Sequence, residues 1–486
     1  MKTPEGIRTP WIQWASTLLL LTSAGLLLLL TPTCAQSQDS LMQWFNFRTY
    51  VLQTHPLARQ ADLSLARAEA SLLRSKGGFD PKVFSDFSEK SFQNSQYFRY
   101  AEAGVKWPSW MGLEVKGAYN WASGVYLNPE SNLPQVGQAA LGLSWTLGQG
   151  LFIDERRADL RQANIGLRFG AAERDALLNE LLFQGAKVYW EWVLANTQVD
   201  VFENALQQAE VRFIGIRESY LQGDNPAIDT LEAFIQVQNR QMDLNFALVD
   251  RQNALLALNT FLWNENGQPL APAEIERPPL LPDAQAPTLP PFDSLTRALP
   301  AHPLLRQYQA KLEDLEVEQR LKQEKRKPVL DVHYNLLGNG WEFFPTNTVE
   351  GAAVLVNDIK WGINFAYPIP NRKARGDFQV TAIKLAQTSY EQQQKRTDLE
   401  NKLRSYANEC ENLRRQIDLY RQMTDNYRAL LDGENEKFRF GESSVFLVNA
   451  REQRWLDARI KLLKLQSEYR KAEAGLLWIA GVIKDY

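Results

Sequence analysis

AAERDALLNELLFQGAKVYWEWVLANTQVDVFENALQQAEVRFIGIRESY, residues 171–220, carries the pattern on which the architecture turns. Ala171, Leu178, Gly185, Trp192, Val199, Leu206, Phe213 and Tyr220 stand seven apart, and Leu181, Val188, Ala195, Phe202, Ala209 and Ile216 interleave as a second seam. Residues repeating on that heptad keep one face of an α-helix turned toward a partner helix, which is coiled-coil packing. The pattern returns with Leu399, Tyr406, Leu413, Tyr420 and Tyr427, interleaved with Leu403, Cys410, Ile417, Leu431 and Phe438, and is interrupted by Thr424 and Glu434. Each helix is expected to run for about 70 residues and, at about 1.5 Å per residue, to span roughly 100 Å. After each, the chain turns and comes back as a helix, over 228–263 and over 445–483, the second with Val448, Trp455, Leu462, Tyr469 and Leu476 seven apart. Two long antiparallel helical hairpins per chain follow. Taken alone, such rods also suit a soluble coiled-coil spacer.

Working outward, the two rods belong to two similar halves. Thr54-His55-Pro56-Leu57 and Ala301-His302-Pro303-Leu304 each open a helix, and each helix ends at a strand-entry proline, Pro81 or Pro328, at the same offset of 247 residues. Gly142-Leu143-Ser144-Trp145 matches Gly362-Ile363-Asn364-Phe365 at an offset of 220, and the turns at 221–226 and 439–444 match at 218. The chain reads as an internal duplication of helix, strands, very long helix, turn and helix. The fall in offset leaves the first copy 27 residues longer between strand-entry proline and last strand, room for an extra hairpin. We expect a first repeat over 36–263, a Pro-rich linker over 264–291 and a second repeat over 292–486, the linker extended because of its proline density.

The strands alternate. Leu113, Val115, Tyr119 and Trp121 alternate with Glu114, Lys116 and Asn120, and Ala139, Leu141, Leu143, Trp145 and Leu147 with Gly142, Ser144 and Thr146. The second copy sets Val332, Tyr334 and Leu336 against Asp331, His333 and Asn335, then Ile359, Trp361, Ile363, Phe365 and Tyr367 against Lys360, Gly362 and Asn364. A period of two with one apolar face suits a strand between lipid and water, and equally a sheet packed over its own protein. Trp107, Trp110, Tyr126, Trp341, Phe343 and Phe344 gather at strand ends and loops, as aromatic belts do at a lipid boundary.

Composition narrows the function. The 486 residues hold 54 Lys plus Arg against 57 Asp plus Glu, a net charge of −3, which argues against nucleic acid as a partner. Three histidines and two cysteines leave little material for a metal cluster. No His–carboxylate cluster, nucleophile elbow or glycine-rich phosphate loop appears, so the reading is not an enzyme, with no catalytic residue, cofactor or metal. Lys2 and Arg8 precede an apolar stretch, Leu18 to Leu30, followed by Thr31-Pro32-Thr33-Cys34-Ala35-Gln36, which reads as a secretory signal peptide over 1–35 cleaved after Ala35. Lipidation at Cys34 and a retained membrane anchor are the alternatives, although the stretch is short for a span. Beyond Gln36 no apolar run is long enough for a membrane-crossing helix. Export with alternating strands then points to a closed barrel, whose backbone groups pair around the ring. One chain offers four to six strands where about eight is the observed minimum, so several copies must share the barrel.

These features resemble the TolC-like outer-membrane efflux protein family over essentially the whole mature chain. The resemblance rests on the duplicated His-Pro helix starts and on Tyr367-Pro368-Ile369-Pro370-Asn371-Arg372 leading into a long helix. It rests also on the Phe440-Gly441-Glu442-Ser443-Ser444-Val445-Phe446-Leu447-Val448 turn. In the first copy Thr146 stands where the family often has the proline seen here as Pro368. The resemblance implies an α+β membrane protein. In it, a homotrimer pools transmembrane strands into a twelve-stranded β-barrel in outer-membrane lipid, continued by an α-helical barrel across the periplasm. It further implies an exit duct of a tripartite efflux or type I secretion system, docking a periplasmic adaptor (membrane fusion) protein and an inner-membrane transporter and conducting passively. The extra 27 residues then add either two strands per chain or a hairpin outside the barrel. The charges of the stretch 147–157 are expected to serve as caps and interchain pairs at the sheet-to-helix junction.

The turns at Gly223 and Gly441 become the adaptor-contacting periplasmic tips, where glycine permits a positive φ. Candidate docking residues are Gly223, Asp224, Asn225, Gly441, Glu442, Ser443 and Ser444, and candidate gate residues are Asp224, Asp229 and Glu442, as a ring of negative charge at a constriction. A solvated helix cap is the competing reading for Asp224 and Asn225 before Pro226. His55 and His302 are expected to be structural, and Cys410 to be core. A periplasmic adaptor, the other exported class with long hairpins, should carry one hairpin flanked by compact β domains rather than two hairpins each preceded by strands.

Overall fold

In each half, the helix that leads into the strands starts where a histidine caps it. In the computed structural model, which describes residues 41–129, 132–271, 277–279, 281, 290–343 and 358–486, α1 spans Trp44–Thr54 and α2 Pro56–Lys76. His55 Nδ1 accepts the Leu57 N–H at 3.0 Å, and Pro56 supplies a first helical residue that needs no donor. The second copy repeats the device: α5 (Phe292–Ala298) precedes α6 (Pro303–Glu324), and His302 Nδ1 accepts from Leu304 N at 3.1 Å. The signal peptide, Cys34, Phe344 and half of the Pro-rich linker lie outside the described residues.

The rods have the expected length. Helix α3 runs Glu155–Gln222 and α7 Arg372–Arg439, 68 residues each, and they return as α4 (Ala227–Asn259) and α8 (Val445–Ala480). Their heptad seams are buried where the hairpins close. Val199 and Phe202 pack with Leu244 and Ala247 in one hairpin, and Cys410, Leu413 and Ile417 with Leu462, Leu465 and Tyr469 in the other. Cys410 is core, and burial pushes its thiol up to about 12, so it stays protonated.

The middle of α3 departs from a two-faced coil. Leu181, Leu182, Phe183, Gly185, Ala186, Tyr189 and Trp192 are all buried, because this stretch is wrapped on more than one side. One cluster joins it to Phe47 and Val51 of α1 and to Leu258 and Leu262, and another to Leu295, Leu305, Leu399, Leu403 and Ile479. Tyr189 lies at the centre, its hydroxyl donating to Met42 O at 2.8 Å and its pKa raised by burial. Where the linker was expected simply to be extended, Leu281 docks on this belt, buried, with its N–H donating to Thr197 Oγ1 at 3.2 Å.

On one side of the belt α2, α3, α6 and the first half of α7 pack side by side in that order and lead to a sheet. Its strands are β1 (Lys82–Phe92), β2 (Ser95–Pro108), β3 (Leu113–Ser123), β4 (Gln138–Thr146), β5 (Val329–Leu337) and β6 (Ile359–Ala366). They form one antiparallel sheet in chain order, open in the single chain, with β4 and β5 joining the halves. Of the two placements left open for the surplus residues of the first copy, the structure has two strands, β1 and β2, in the same sheet as the rest. The register sets Val115, Leu143, Tyr334 and Trp361 on one face and Lys116, Gly142, Asn335 and Lys360 on the other. Trp341 stacks on Tyr119 at one end of the apolar face, and the rest stays open among the described residues: Leu143 is 50 %, Ile363 58 % and Phe365 67 % exposed.

At the junction, Asp154 caps α3 by accepting from Arg157 N at 3.0 Å, and the Arg157 guanidinium binds the carbonyls of Gly150 and Leu151. Glu155 pairs with Lys325 at 2.5 Å, a contact that holds its carboxyl below the ordinary range. Within the single chain these charges serve as caps and pairs.

Candidate functional site

Both hairpin turns sit at the end of the rods remote from the sheet, and the structure brings them together. Ile216 of α3, Ala233 of α4 and Val445 of α8 form one buried cluster, with Phe213 and Phe438 packed against it. The two halves thus present their turns side by side.

The first turn is closed by Gly223 at φ +86, where its N–H and that of Asp224 bond back to Tyr220 O and Ser219 O at 3.0 and 2.9 Å. This is the left-handed helix stop that favours glycine. Asp224 is exposed and Asn225 half-buried, and the position before α4 is taken by Pro226 with no side-chain cap bond. The cap reading of Asp224 and Asn225 therefore fails: proline fills the N-cap position, and α4 begins without help from either side chain. Asp229 stands half-buried in the first turn of α4, where a negative charge faces the free N–H groups of the helix start.

The second turn has Gly441 at φ +77, with Glu442 N bonding to Lys437 O at 2.9 Å. Here Ser444 is the cap, its side chain accepting from Leu447 N. Ser443 Oγ donates to Glu434 Oε1 at 2.6 Å, and Arg451 Nε approaches Glu434 Oε2 at 3.5 Å. The Ser443 hydroxyl, more than Arg451, holds the Glu434 carboxyl below its ordinary value. Glu434 interrupts the seam because it ties the turn to the returning helix. Glu442 points to solvent with Gly441 and Ser444.

A buried polar network above the tips was not read from the sequence. Arg212 of α3 donates to Glu452 Oε2 at 2.5 Å and Asn449 Oδ1 at 3.0 Å, both on α8, and Arg240 of α4 donates to Gln453 Oε1 at 2.5 Å and Asp243 Oδ2 at 2.8 Å. Arg240 and Glu452 are essentially inaccessible. The network joins the first hairpin to the second. A signal existed: Arg240 shares a seven-residue spacing with Ala233, Ala247 and Ala254, and a polar residue inside an apolar seam specifies which helices meet and in what register. Among the described residues no group of three His, Cys, Asp or Glu side chains comes together to hold a metal ion.

Residues 295–482 match the model of the outer membrane efflux protein family. No curated protein matches by sequence. Among solved structures, the chain is similar to the open state of the Neisseria gonorrhoeae MtrE outer membrane channel (TM-score 0.66, 14% identity, 90% of this chain and 88% of that one). It is similar to the Vibrio cholerae outer membrane protein VceC (TM-score 0.64, 14% identity, 90% and 96%). The Campylobacter jejuni CmeC outer membrane channel also matches (TM-score 0.60, 13% identity, 90% and 85%). Residues 295–482 are thus similar to the outer membrane efflux protein family, and the chain as a whole shares the fold of these outer membrane channel structures.

Proposed function

We propose that this protein is the outer-membrane exit duct of a tripartite efflux or type I secretion system. Three copies pool their sheets into a barrel in the outer membrane and their hairpins into a periplasmic tunnel. Solutes pass through passively, delivered by a periplasmic adaptor protein and an inner-membrane transporter. The turns at 223–225 and 441–444 are the docking tip, and Asp224, Asp229 and Glu442 of the three copies ring its constriction.

The observation that carries this reading is the two-faced sheet. An apolar face with side chains 50–67 % exposed over three residues of β4 and β6 is costly in water and is covered by lipid acyl chains in a bilayer. The hairpins support the assembly independently. Ile228, Ile235, Met242, Val249 and Leu256 of α4 stand seven apart and are 69, 46, 56, 55 and 52 % exposed, a heptad stripe with no partner among the described residues. Burying such side chains stabilises by about 1.5–3 kcal/mol each, which favours a neighbouring copy.

The test is single-channel recording of the detergent-purified protein in planar bilayers. Discrete, ohmic openings are expected from trimers and none from monomers. Trimers that insert and never conduct would refute the duct.

A further inference from the structure

We propose that the β1–β2 hairpin is part of the bilayer wall, so that each protomer supplies six strands and three protomers close an eighteen-stranded barrel, with β6 of one copy pairing to β1 of the next. This rests on the trimeric outer-membrane reading above.

The ladder itself gives the first reason. A wall built only from β3 to β6 needs the outer edge of β3 to pair with a neighbour's β6. That edge is already taken: β2 pairs with β3 without interruption from Arg99↔Ser123 to Pro108↔Glu114. Freeing it would leave a row of backbone groups unpaired, each costly where water is excluded. The edge left open is that of β1, and the other is that of β6. Six strands in antiparallel order make these two edges run in opposite directions, so copies join head to tail with the same antiparallel pairing throughout.

Side-chain alternation gives the second. Through the register, Val83 of β1 and Val105 of β2 fall on the same face as Gly117 of β3 and Leu141 of β4, the face that carries Leu143 and Ile363. Val83 is 84 %, Phe87 62 % and Trp107 58 % exposed, so the hairpin extends the lipid-facing surface. The charges on this face of the hairpin, Glu89 and Arg99, pair with each other at 3.1 Å near the β1–β2 turn, toward the end of the strands where charge is tolerated. The opposite face is equally continuous. Lys116 of β3 binds Glu102 of β2 at 2.5 Å, and Lys106 and Lys116 lie 4.6 and 5.2 Å from the centre of the Phe84 ring of β1. A polar wall is thereby knitted across three strands, as a water-filled lumen requires.

Size is consistent. At a strand spacing of about 4.8 Å and a tilt of about 40°, eighteen strands give a circumference of about 115 Å. Twelve helices, four per protomer beneath the sheet, spaced at about 9–10 Å give about 110–120 Å.

The experiment places single cysteines at Ser85 and Ser88, on the two faces of β1, in the full chain reconstituted into phosphatidylcholine vesicles. Leu143→Cys and Ser144→Cys on β4 serve as reference, and the wild-type chain corrects for native cysteines. Both β1 changes replace a hydroxyl by a thiol at exposed positions, so folding is not at stake. With a nitroxide on each cysteine, Ser85→Cys should be relaxed several-fold better by oxygen than by an aqueous nickel complex, as should Leu143→Cys. Ser88→Cys and Ser144→Cys should show the reverse. Water accessibility at both β1 positions, with the β4 pair still alternating, overturns the six-strand wall and leaves the duct intact. Loss of alternation on β4 as well overturns both. A second measurement fixes the neighbour: Ser85→Cys combined in turn with cysteine at 359, 361, 363 or 365 should give an intermolecular disulfide for one of the four pairings. Cross-linking of the same β6 cysteines to β3 instead would overturn the proposal.

Discussion

His302 shows how one side chain ties pH to stability in this fold. Its Nδ1 accepts the Leu304 N–H at 3.1 Å, so the cap exists only while that nitrogen is unprotonated. Burial, the largest influence, pushes its pKa down from 6.5 to about 4. The unfolded chain therefore binds the proton between these values and the folded chain does not. Stability is complete above pH 6.5 and falls as pH drops toward 4, by on the order of 3 kcal/mol. The heat-dissociation midpoint of the trimer should decline over that window, and His302→Asn, which keeps an acceptor but cannot titrate, should flatten the decline. An equal slope in the variant would exclude His302 as its source. Gly441 is a residue of the opposite kind, valued for what it lacks. At φ +77, a Cβ added there meets nothing within 4 Å, so Gly441→Trp starts its side chain in open space and bears left-handed backbone strain of about 1–2 kcal/mol. If the turn contacts an adaptor, this variant should lose drug resistance at least as severely as it loses adaptor binding in pull-down, at unchanged outer-membrane level. Normal resistance would remove Gly441 from the docking surface.

At the scale of elements, α4 is the most informative. It is buried within its own chain through Ala233, Arg240, Ala247 and Ala254 and is exposed at Ile235 and Met242. Ile235→Lys with Met242→Lys should therefore abolish trimers while leaving the helical content of the protomer unchanged, as read by light scattering and circular dichroism in detergent. A stable trimer would mean that the stripe is not an interface. The elements also show what the chain's pattern discloses. Both 68-residue rods, both returns and β3 to β6 were legible, because a sustained heptad and a clean two-residue alternation each admit few structures. Beyond the strand entry at Pro81, the β1–β2 hairpin was legible only as surplus length: Ser85, Asp86, Ser88, Glu89 and Lys90 break its alternation, and pairing with β3 sets its register. The wrapped middle of α3 was hidden for another reason. Its extra buried face is contributed by α1, α5 and the chain's last turn, contacts far apart in sequence that no local period encodes. At the tip, the glycine turns were readable from residue type, whereas the Arg212–Glu452 and Arg240–Gln453 links depend on which hairpin lies beside which.

The whole molecule separates its two chemistries along its length. The sheet lies at one end, and the acidic turns lie at the other, with rods of about 100 Å between membrane and tip. In a threefold assembly Asp224, Asp229 and Glu442 each recur three times around one axis, on side chains that are exposed or half-buried and so open to ions from the water. Carboxylates arranged as rings draw cations into a pore and bind divalent ions more tightly than monovalent ones, since each carboxylate interacts with twice the charge. Block by millimolar magnesium should therefore be one-sided, seen when the ion is added to the chamber that the helical tips face and much weaker from the barrel side. Neutralising all three positions, Asp224→Asn, Asp229→Asn and Glu442→Gln, should reduce that block by roughly ten-fold or more, because several converging charges at low local dielectric each contribute of order 1 kcal/mol. The open-state conductance should change far less, since the change lies at one constriction of a long tunnel. Equal block from both sides would place the site away from the tip, and undiminished block in the triple variant would show that other residues form it.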